Sequence, residues 1–235
     1  MPGCPELFEA VAPHAAVLTD RDNANWLQCW HDRQTGFHQS AVNPLLARFW
    51  PVLGLAAASR IFVPLCGKSL DMLWLAQQGH EVIGVELSPV AVQAFFRENR
   101  LRPTRRPVGP FTLWQAGRVS ILCGDYFALT GSELGRIDAV YDRAALTAFP
   151  EDVRLLYVAH LKLILPTSGK VFILTTEMPD AGASPMKSLE ADAEIVSLYE
   201  TDFEIELVHV EQIFEADPHE RVAHKVYRLS SRSVE

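Results

Sequence analysis

The sequence predicts an α/β fold with a doubly wound, mostly parallel, Rossmann-like sheet, and three observations lead there. From Arg60 onward, short apolar runs alternate with amphipathic stretches, the pattern of strands buried on both faces and covered by helices. Hydrophobic residues make up 49% of the 235, enough to cover a sheet on both sides and too many for a disordered chain. The last two strand-like runs, "FEIELVHVEQIF" and "RVAHKVYRLS", are joined only by "EADPHE", which suits an antiparallel pair better than a crossover. The expectation is one domain over 1–235 with seven strands, an antiparallel C-terminal strand pair and an N-terminal helical lid. Within it, 1–24 is an irregular arm and 25–58 the lid region.

The elements follow in order. "NANWLQCWHDRQ" places Trp26, Leu27 and Trp30 on one helical stripe, with Asn23 as a candidate cap. Gly36 breaks that helix, and "NPLLARFWPVLGLAAA" starts another with Pro44 in its first turn and Pro51 as a stop. "RIFVPL" is a short buried strand and "SLDMLWLAQQG" a helix ended by Gly79. "HEVIGVEL" is the second strand, and "SPVAVQAFFREN" a helix capped by Ser88 with Pro89 at its first position. The basic run 97–107 reads as a solvated loop, and a short hairpin through "FTLWQ" is expected ahead of the third strand in "GRVSILCGDYF". "RIDAVYDRAAL", the long helix "PEDVRLLYVAHLKLIL" and "KVFILTTEM" continue the alternation. A Pro/Gly/Ala/Ser-rich loop over 179–188 and the helix "LEADAEIVSLYE" precede the final strand pair.

Composition narrows the function. A formal charge of −8 and a pI near 5.5 argue against nucleic acid as partner, since phosphate binding needs clustered Lys and Arg. The four cysteines form no CxxC pair and no metal-ligand spacing, so no metal is expected and a reducing, cytoplasmic compartment is. No apolar run approaches the ~20 residues that cross a bilayer, and no basic region opens the chain. A soluble monomer is the expectation.

Gly67-Lys68-Ser69 raises the question of a phosphate-binding loop. Such a loop needs a glycine five positions before Gly67, but Phe62 stands there, inside the strand. The dinucleotide pattern G-x-G-x-x-G fails too, because Gly67 stands alone. What remains is a strand ending in a tight turn that opens a helix, with Glu86 nineteen residues after Gly67 at the end of the next strand. An acid so placed can accept hydrogen bonds from two ribose hydroxyls. A ribose-containing cofactor that needs no phosphate cradle is implied, and S-adenosylmethionine fits. Asp125 and Tyr126, in "CGDYF", come to the same sheet edge and suit an adenine amino group and ring face. Residue by residue, alternatives stay open. Glu86 also reads as a solvated strand-end carboxylate, Trp26 and Trp30 as a core stripe, and Arg143 as an ion-pair partner of Asp142.

The segments "WLQCWHDRQTGFHQSAVNPLL", "VPLCGKSLDMLWLAQQGHEVIGVELS", "CGDYFAL", "YDRAAL" and "RLLYVAHLKLIL" resemble the thiopurine S-methyltransferase family over nearly the whole chain. The resemblance implies a class I S-adenosylmethionine-dependent methyltransferase that leaves S-adenosylhomocysteine and methylates a small-molecule thiol. It implies cofactor contacts for Trp30 and Leu65, a ribose contact for Glu86 and a place at the cofactor for Arg143. Asp125 and Tyr126 are implied beside adenine, Gly67 in the cofactor turn, and Phe37 facing cofactor and substrate.

Methyl transfer to a thiolate neutralises charge, so alignment and water exclusion matter more than a general base. None of Asp142, His38 and Arg143 is assigned as one. Two stretches depart from the family pattern. One is "MPDAGASPMKSL", where a "GPPF"-type turn is usual. The other is the short segment 214–222, where Arg221 is one candidate for an expected basic residue. These leave a selenium or tellurium acceptor, or lost catalysis, as the alternative.

Overall fold

The computed structural model describes residues 22–166, 169–177, 192–214 and 221–232. Residues 1–21, the loop 179–188 and the connection 215–220 lie outside them, as do the side chains of Phe214 and Arg221. The expected arm, and both stretches that depart from the family pattern, therefore fall largely outside the description.

One sheet organises the described chain. Its strands are β1 (Arg60–Val63), β2 (Glu81–Glu86), β3 (Thr104–Val108), β4 (Phe111–Ala116), β5 (Val119–Cys123), β6 (Ala139–Arg143), β7 (Lys170–Glu177), β8 (Phe203–Phe214) and β9 (Arg221–Ser231). They lie in the order β3-β4-β5-β2-β1-β6-β7-β9-β8. The five strands from β5 to β7 are parallel, while β9 runs antiparallel to both β7 and β8. The expected α/β sheet with its antiparallel C-terminal pair is present. The strand count is nine rather than seven, because the β3–β4 hairpin joins the sheet against β5.

That hairpin also corrects the reading of 97–107 as a loop. Arg97 lies in a helix and Thr104–Val108 is an edge strand, the one place in a sheet that tolerates Pro107. Arg105 holds its guanidinium 3.5 Å from the centre of the Trp114 ring, so part of the basic run is spent on packing.

Residues 22–31 form helix α1, followed by α2 (Pro44–Phe49), α3 (Asp71–Gln77), α4 (Pro89–Glu98), α5 (Gly131–Leu134), α6 (Ala145–Ala148), α7 (Glu151–Ile164) and α8 (Ala193–Tyr199). Several caps follow the sequence. Ser88 caps α4 through its side chain with Pro89 next, and Asn43 caps α2 ahead of Pro44. After α2 a single 3-10 turn containing Pro51 ends at Gly54, whose φ of 55° is left-handed. Asn23, by contrast, is not the cap of α1, which already includes residue 22. Leu27 is exposed rather than part of the inward stripe.

Alternation along the strands splits the core between the two sheet faces. Phe62, Ile83, Val140 and Ile173 face α7 and α8, while Ile61, Val82, Tyr141 and Phe172 face the side of α2, α3 and α4. Trp50 seals the second face. Its ring meets Phe172 edge-on at 5.5 Å, and its indole N–H donates to His80 Nε2 at 3.1 Å. Leu46, Trp50 and Leu53 are buried, so the second half of the expected lid region is core.

Gly84, mid-way along β2, ties the sheet to the turn after β1. A Cβ built there would lie 2.6 Å from Cys66 Sγ and 3.2 Å from Met72 Sδ. Gly84→Ala should therefore lower the unfolding free energy by about 1–3 kcal/mol, the usual range for overpacking. Adding Cys66→Ala should recover part of that loss in urea melts, and strict additivity of the two changes would contradict the contact.

Candidate functional site

The chain adds β2 and β5 to one side of β1, then crosses to add β6 and β7 on the other. In open parallel sheets, the crevice where strand order reverses, beyond the carboxyl ends, is where ligands bind. A cavity of ≈ 310 Å³ lies there, and all eight residues singled out from the sequence (Trp30, Phe37, Leu65, Gly67, Glu86, Asp125, Tyr126 and Arg143) line it.

The turn after β1 makes the floor. Leu65 and Gly67 both take left-handed φ, 46° and 53°, which is unfavourable for leucine. The Cys66 N–H is held by Val85 O at 2.9 Å. Glycine is favoured at 67 on two counts, its φ and a Cβ that would sit 3.1 Å from Trp30 Cζ2. The Gly67 N–H donates to Glu86 Oε2 at 2.9 Å, and the Ser88 N–H donates to Oε1 at 2.7 Å.

Glu86 is only 6% exposed, so it is not the solvated strand-end carboxylate that sequence left open. Burial pushes its pKa up to about 7 against the opposing pull of those backbone N–H groups. Each oxygen has a lone pair left for a ligand hydroxyl.

Asp125 Oδ1 accepts from the Phe127 N–H at 2.9 Å and caps the 3-10 turn Tyr126–Ala128. Its Oδ2 accepts from the Asn23 side-chain amide of α1 at 3.0 Å. Tyr126 lines the cavity with its ring, but its hydroxyl points into the core and donates to Tyr157 O at 3.1 Å.

Arg143 does not pair with Asp142. Asp142 is fully buried, accepting from the Ala145 N–H at 2.9 Å and the Tyr157 hydroxyl at 2.7 Å, with its pKa raised by burial. The partner of Arg143 is Asp71, which the sequence reading missed. Arg143 Nε lies 3.0 Å from Asp71 Oδ2, close enough for an ion pair though off the N–H direction. Asp71 also accepts from the Tyr141 hydroxyl at 2.8 Å and from the Asn43 N–H at 2.8 Å. A signal was available, for Asp71 precedes Leu75 by one turn on the buried stripe of α3. A carboxylate on such a stripe needs partners.

The roof comes from the N-terminal segment. Trp30 is 5% exposed, and Phe37 meets the edges of Trp26 and Trp30 at 5.4 and 5.5 Å. Phe37 itself is 48% exposed. His38 borders the cavity, and burial together with the Lys68 charge holds its pKa below the usual imidazole range. Lys68 in turn is paired with Glu98 at 2.9 Å. A ligand with a diol, a flat ring and a compact tail matches this arrangement of buried acid, apolar walls and aromatic cover.

Comparison with known proteins agrees with the architecture. Residues 21–232 match the family described as Thiopurine S-methyltransferase (TPMT). The chain is 58% identical over 219 residues to a thiopurine S-methyltransferase of Stutzerimonas stutzeri, covering 92% of this chain and 93% of that protein. It is 40% identical over 215 residues to one from Nitrosospira multiformis, covering 89% and 98%. Among solved structures, a SAM-dependent methyltransferase from Anabaena variabilis superposes with a TM-score of 0.60 at 17% identity, covering 89% of this chain and 95% of that one. A 1,6-didemethyltoxoflavin-N1-methyltransferase from Burkholderia thailandensis, solved with S-adenosylhomocysteine, gives 0.57 at 18%, covering 98% and 92%. At such identities the two structures speak for the fold.

Removing the charge of Asp71 while keeping its shape tests how Arg143 is held. Asp71→Asn should cost about 3–5 kcal/mol in urea unfolding, because it strands a largely buried guanidinium. Arg143→Met in the same background should return part of that stability. If the double variant is as unstable as the two single losses added together, the pairing is not what holds Arg143.

Proposed function

The chain belongs to the thiopurine S-methyltransferase family, an S-adenosylmethionine-dependent methyltransferase by that membership, and on this premise we propose which residues hold the cofactor and what accepts the methyl group. The observation that carries the reading is Glu86: a buried carboxylate at the cavity floor, fixed by two backbone N–H groups, with lone pairs to spare for the two ribose hydroxyls. Gly67, whose left-handed φ favours glycine and where a Cβ would crowd the Trp30 ring, lets the backbone come close to the ligand. Leu65, Asp125 and the Tyr126 ring border the adenosine region, and Trp30 covers it. The Tyr126 hydroxyl takes no part, being committed to Tyr157.

When bound, S-adenosylmethionine supplies an electrophilic methyl group on a sulfonium. The protein's own residues align and enclose. Trp26, Trp30 and Phe37 form an aromatic roof over residues 22–38 that keeps water from the transfer path. Arg143 lines the cavity wall with its charge balanced by Asp71, and its guanidinium is a hydrogen-bond donor for an acceptor that arrives as an anion. We assign no side chain as a base: among the described residues Asp142 is spent on Ala145 and Tyr157. A small-molecule thiol of low pKa, already thiolate near neutral pH, fits a site without a base. The thiopurine named for the relatives is the first acceptor to test.

A monomer with a single domain over 1–235 is part of this reading. No helix among the described residues is long and apolar enough to cross a membrane. Cys29, Cys66 and Cys123 are all free thiols, which accords with a cytoplasmic place.

Transfer to a panel of thiols, thiopurines included, should show turnover of at least one with S-adenosylhomocysteine as product. Glu86→Ala loses up to two charge-assisted hydrogen bonds, each worth roughly 1.5–3 kcal/mol. It should bind S-adenosylhomocysteine at least tenfold more weakly while its far-UV circular dichroism stays native. A folded Glu86→Ala that binds like the parent would remove the ribose role, and no thiol turnover by the parent would remove the acceptor class.

A further inference from the structure

A second cavity, ≈ 160 Å³, lies at the opposite end of the same strands, and methyl transfer has no use for it. It is bordered by Glu81 at the start of β2, while the cofactor cavity is bordered by Glu86 at its end. At ~3.3 Å per strand residue the two are about 16 Å apart.

Its floor is a row across three strands, Ile83, Ser120 and Gln115, set side by side by the register. Farther along the same three strands this face is apolar, with Val85, Leu122 and Leu113 in the core. Ser120 and Gln115 are thus polar residues on the face that otherwise packs.

The charges around this row are unevenly satisfied. Arg60 opens β1 directly beside Glu81, yet Glu81 gives its carboxylate to Arg118 at 2.5 Å. Glu133, on the far wall, is turned into its own helix cap and accepts from the Thr130 N–H at 3.0 Å. Arg60 gives its backbone N–H to Asp138 Oδ2 at 2.8 Å, but neither its guanidinium nor that of Arg106, both lining the cavity, has a carboxylate partner among the described residues. Among those residues nothing accepts from the buried Arg60 Nε. Buried N–H groups are nearly always paired, and one left open points to a missing acceptor. A guanidinium presents its N–H groups as a planar fork that matches two oxygens of a carboxylate or phosphate.

We propose that this cavity is a binding site for a small oxyanion, held by Arg60 and Arg106 with the Ser120 hydroxyl as a neutral donor. The wall carboxylates Glu81 and Glu133 limit the charge it tolerates, and the volume limits the size. It takes a single phosphate or carboxylate group, not a polyphosphate.

Titration calorimetry on the full chain, saturated with S-adenosylhomocysteine to fill the other cavity, tests this with inorganic phosphate and separately with acetate. One saturable site for either probe is expected, and the probe that binds tells which oxyanion geometry is preferred. Arg60→Gln and Arg106→Gln should each weaken that binding at least tenfold. Arg106 is exposed on an edge strand, so its variant decides the matter if Arg60→Gln does not fold. Absence of saturable binding for both probes, or undiminished binding in either folded variant, overturns the site.

Discussion

The architecture of the site depends on one buried carboxylate. Glu86 ends the central strand β2, and its two oxygens take the N–H of Gly67 from the turn after β1 and the N–H of Ser88 at the head of α4. Three backbone segments are thereby fixed to one side chain. The turn adopts two left-handed residues in succession around Cys66, a conformation that costs of order 1–3 kcal/mol where the residue is not glycine. Anchoring by Glu86, and by the Cys66 N–H on Val85, holds it in that form. In return the acid is desolvated, and burial lifts its pKa to about 7. The same bonds that shape the floor keep the carboxylate poised for further donors.

The roof depends on a different kind of contact. Helix α1 touches the sheet edge at two points: Asn23 hydrogen-bonds Asp125, and the Trp30 ring packs over Gly67. Asp71 links the walls to the fold behind them, holding Arg143, Tyr141 and the start of α2 at once. A buried acid with three partners is satisfied in polarity but intolerant of change, since removing the acid leaves all three unpaired. Floor, roof and wall thus each rest on a carboxylate, and Glu86 and Asp125, each with one donor per oxygen, keep lone pairs free where they line the cavity.

Much of this was legible in the sequence where local chemistry decides. Ser88–Pro89 and Asn43–Pro44 announced helix starts, the spacing of Gly67 and Glu86 brought both to one cavity, and buried runs announced parallel strands. The hairpin β3–β4 was half legible. Its arginines and Pro107 look like a solvated loop until Trp114 and the edge position supply a reason for them. That Asp71 needs a partner was legible from its buried stripe, but that the partner is Arg143 was not, because Asp142 is the sequence neighbour of Arg143 while Asp71 reaches it only where α3 meets β6. Adjacent strand residues point to opposite faces, which is why Asp142 turns toward Tyr157 and Arg143 toward Asp71. Tyr126 lines the cavity, but the direction of its hydroxyl depends on Tyr157, thirty-one residues away.

The central claim, that Glu86 is the ribose acceptor, has a direct signature in protons. Without ligand its raised pKa favours the protonated acid in the fold. Its contribution to stability is therefore greatest below the ordinary glutamate value and is lost as pH rises through about 7. Two hydroxyl donors favour the ionised form, so ligand binding must reverse that preference and expel the proton. The neighbouring thiols Cys66 and Cys123 have pKa values raised by burial and stay neutral in this range. His38, held below its usual value, is controlled by repeating the measurement on His38→Asn. Calorimetry of S-adenosylhomocysteine binding in buffers of different ionisation enthalpy should show release approaching one proton per ligand near pH 6. Release should fade above pH 8, with affinity rising between those limits. Proton uptake, or binding with no proton exchange across that range, would contradict the account.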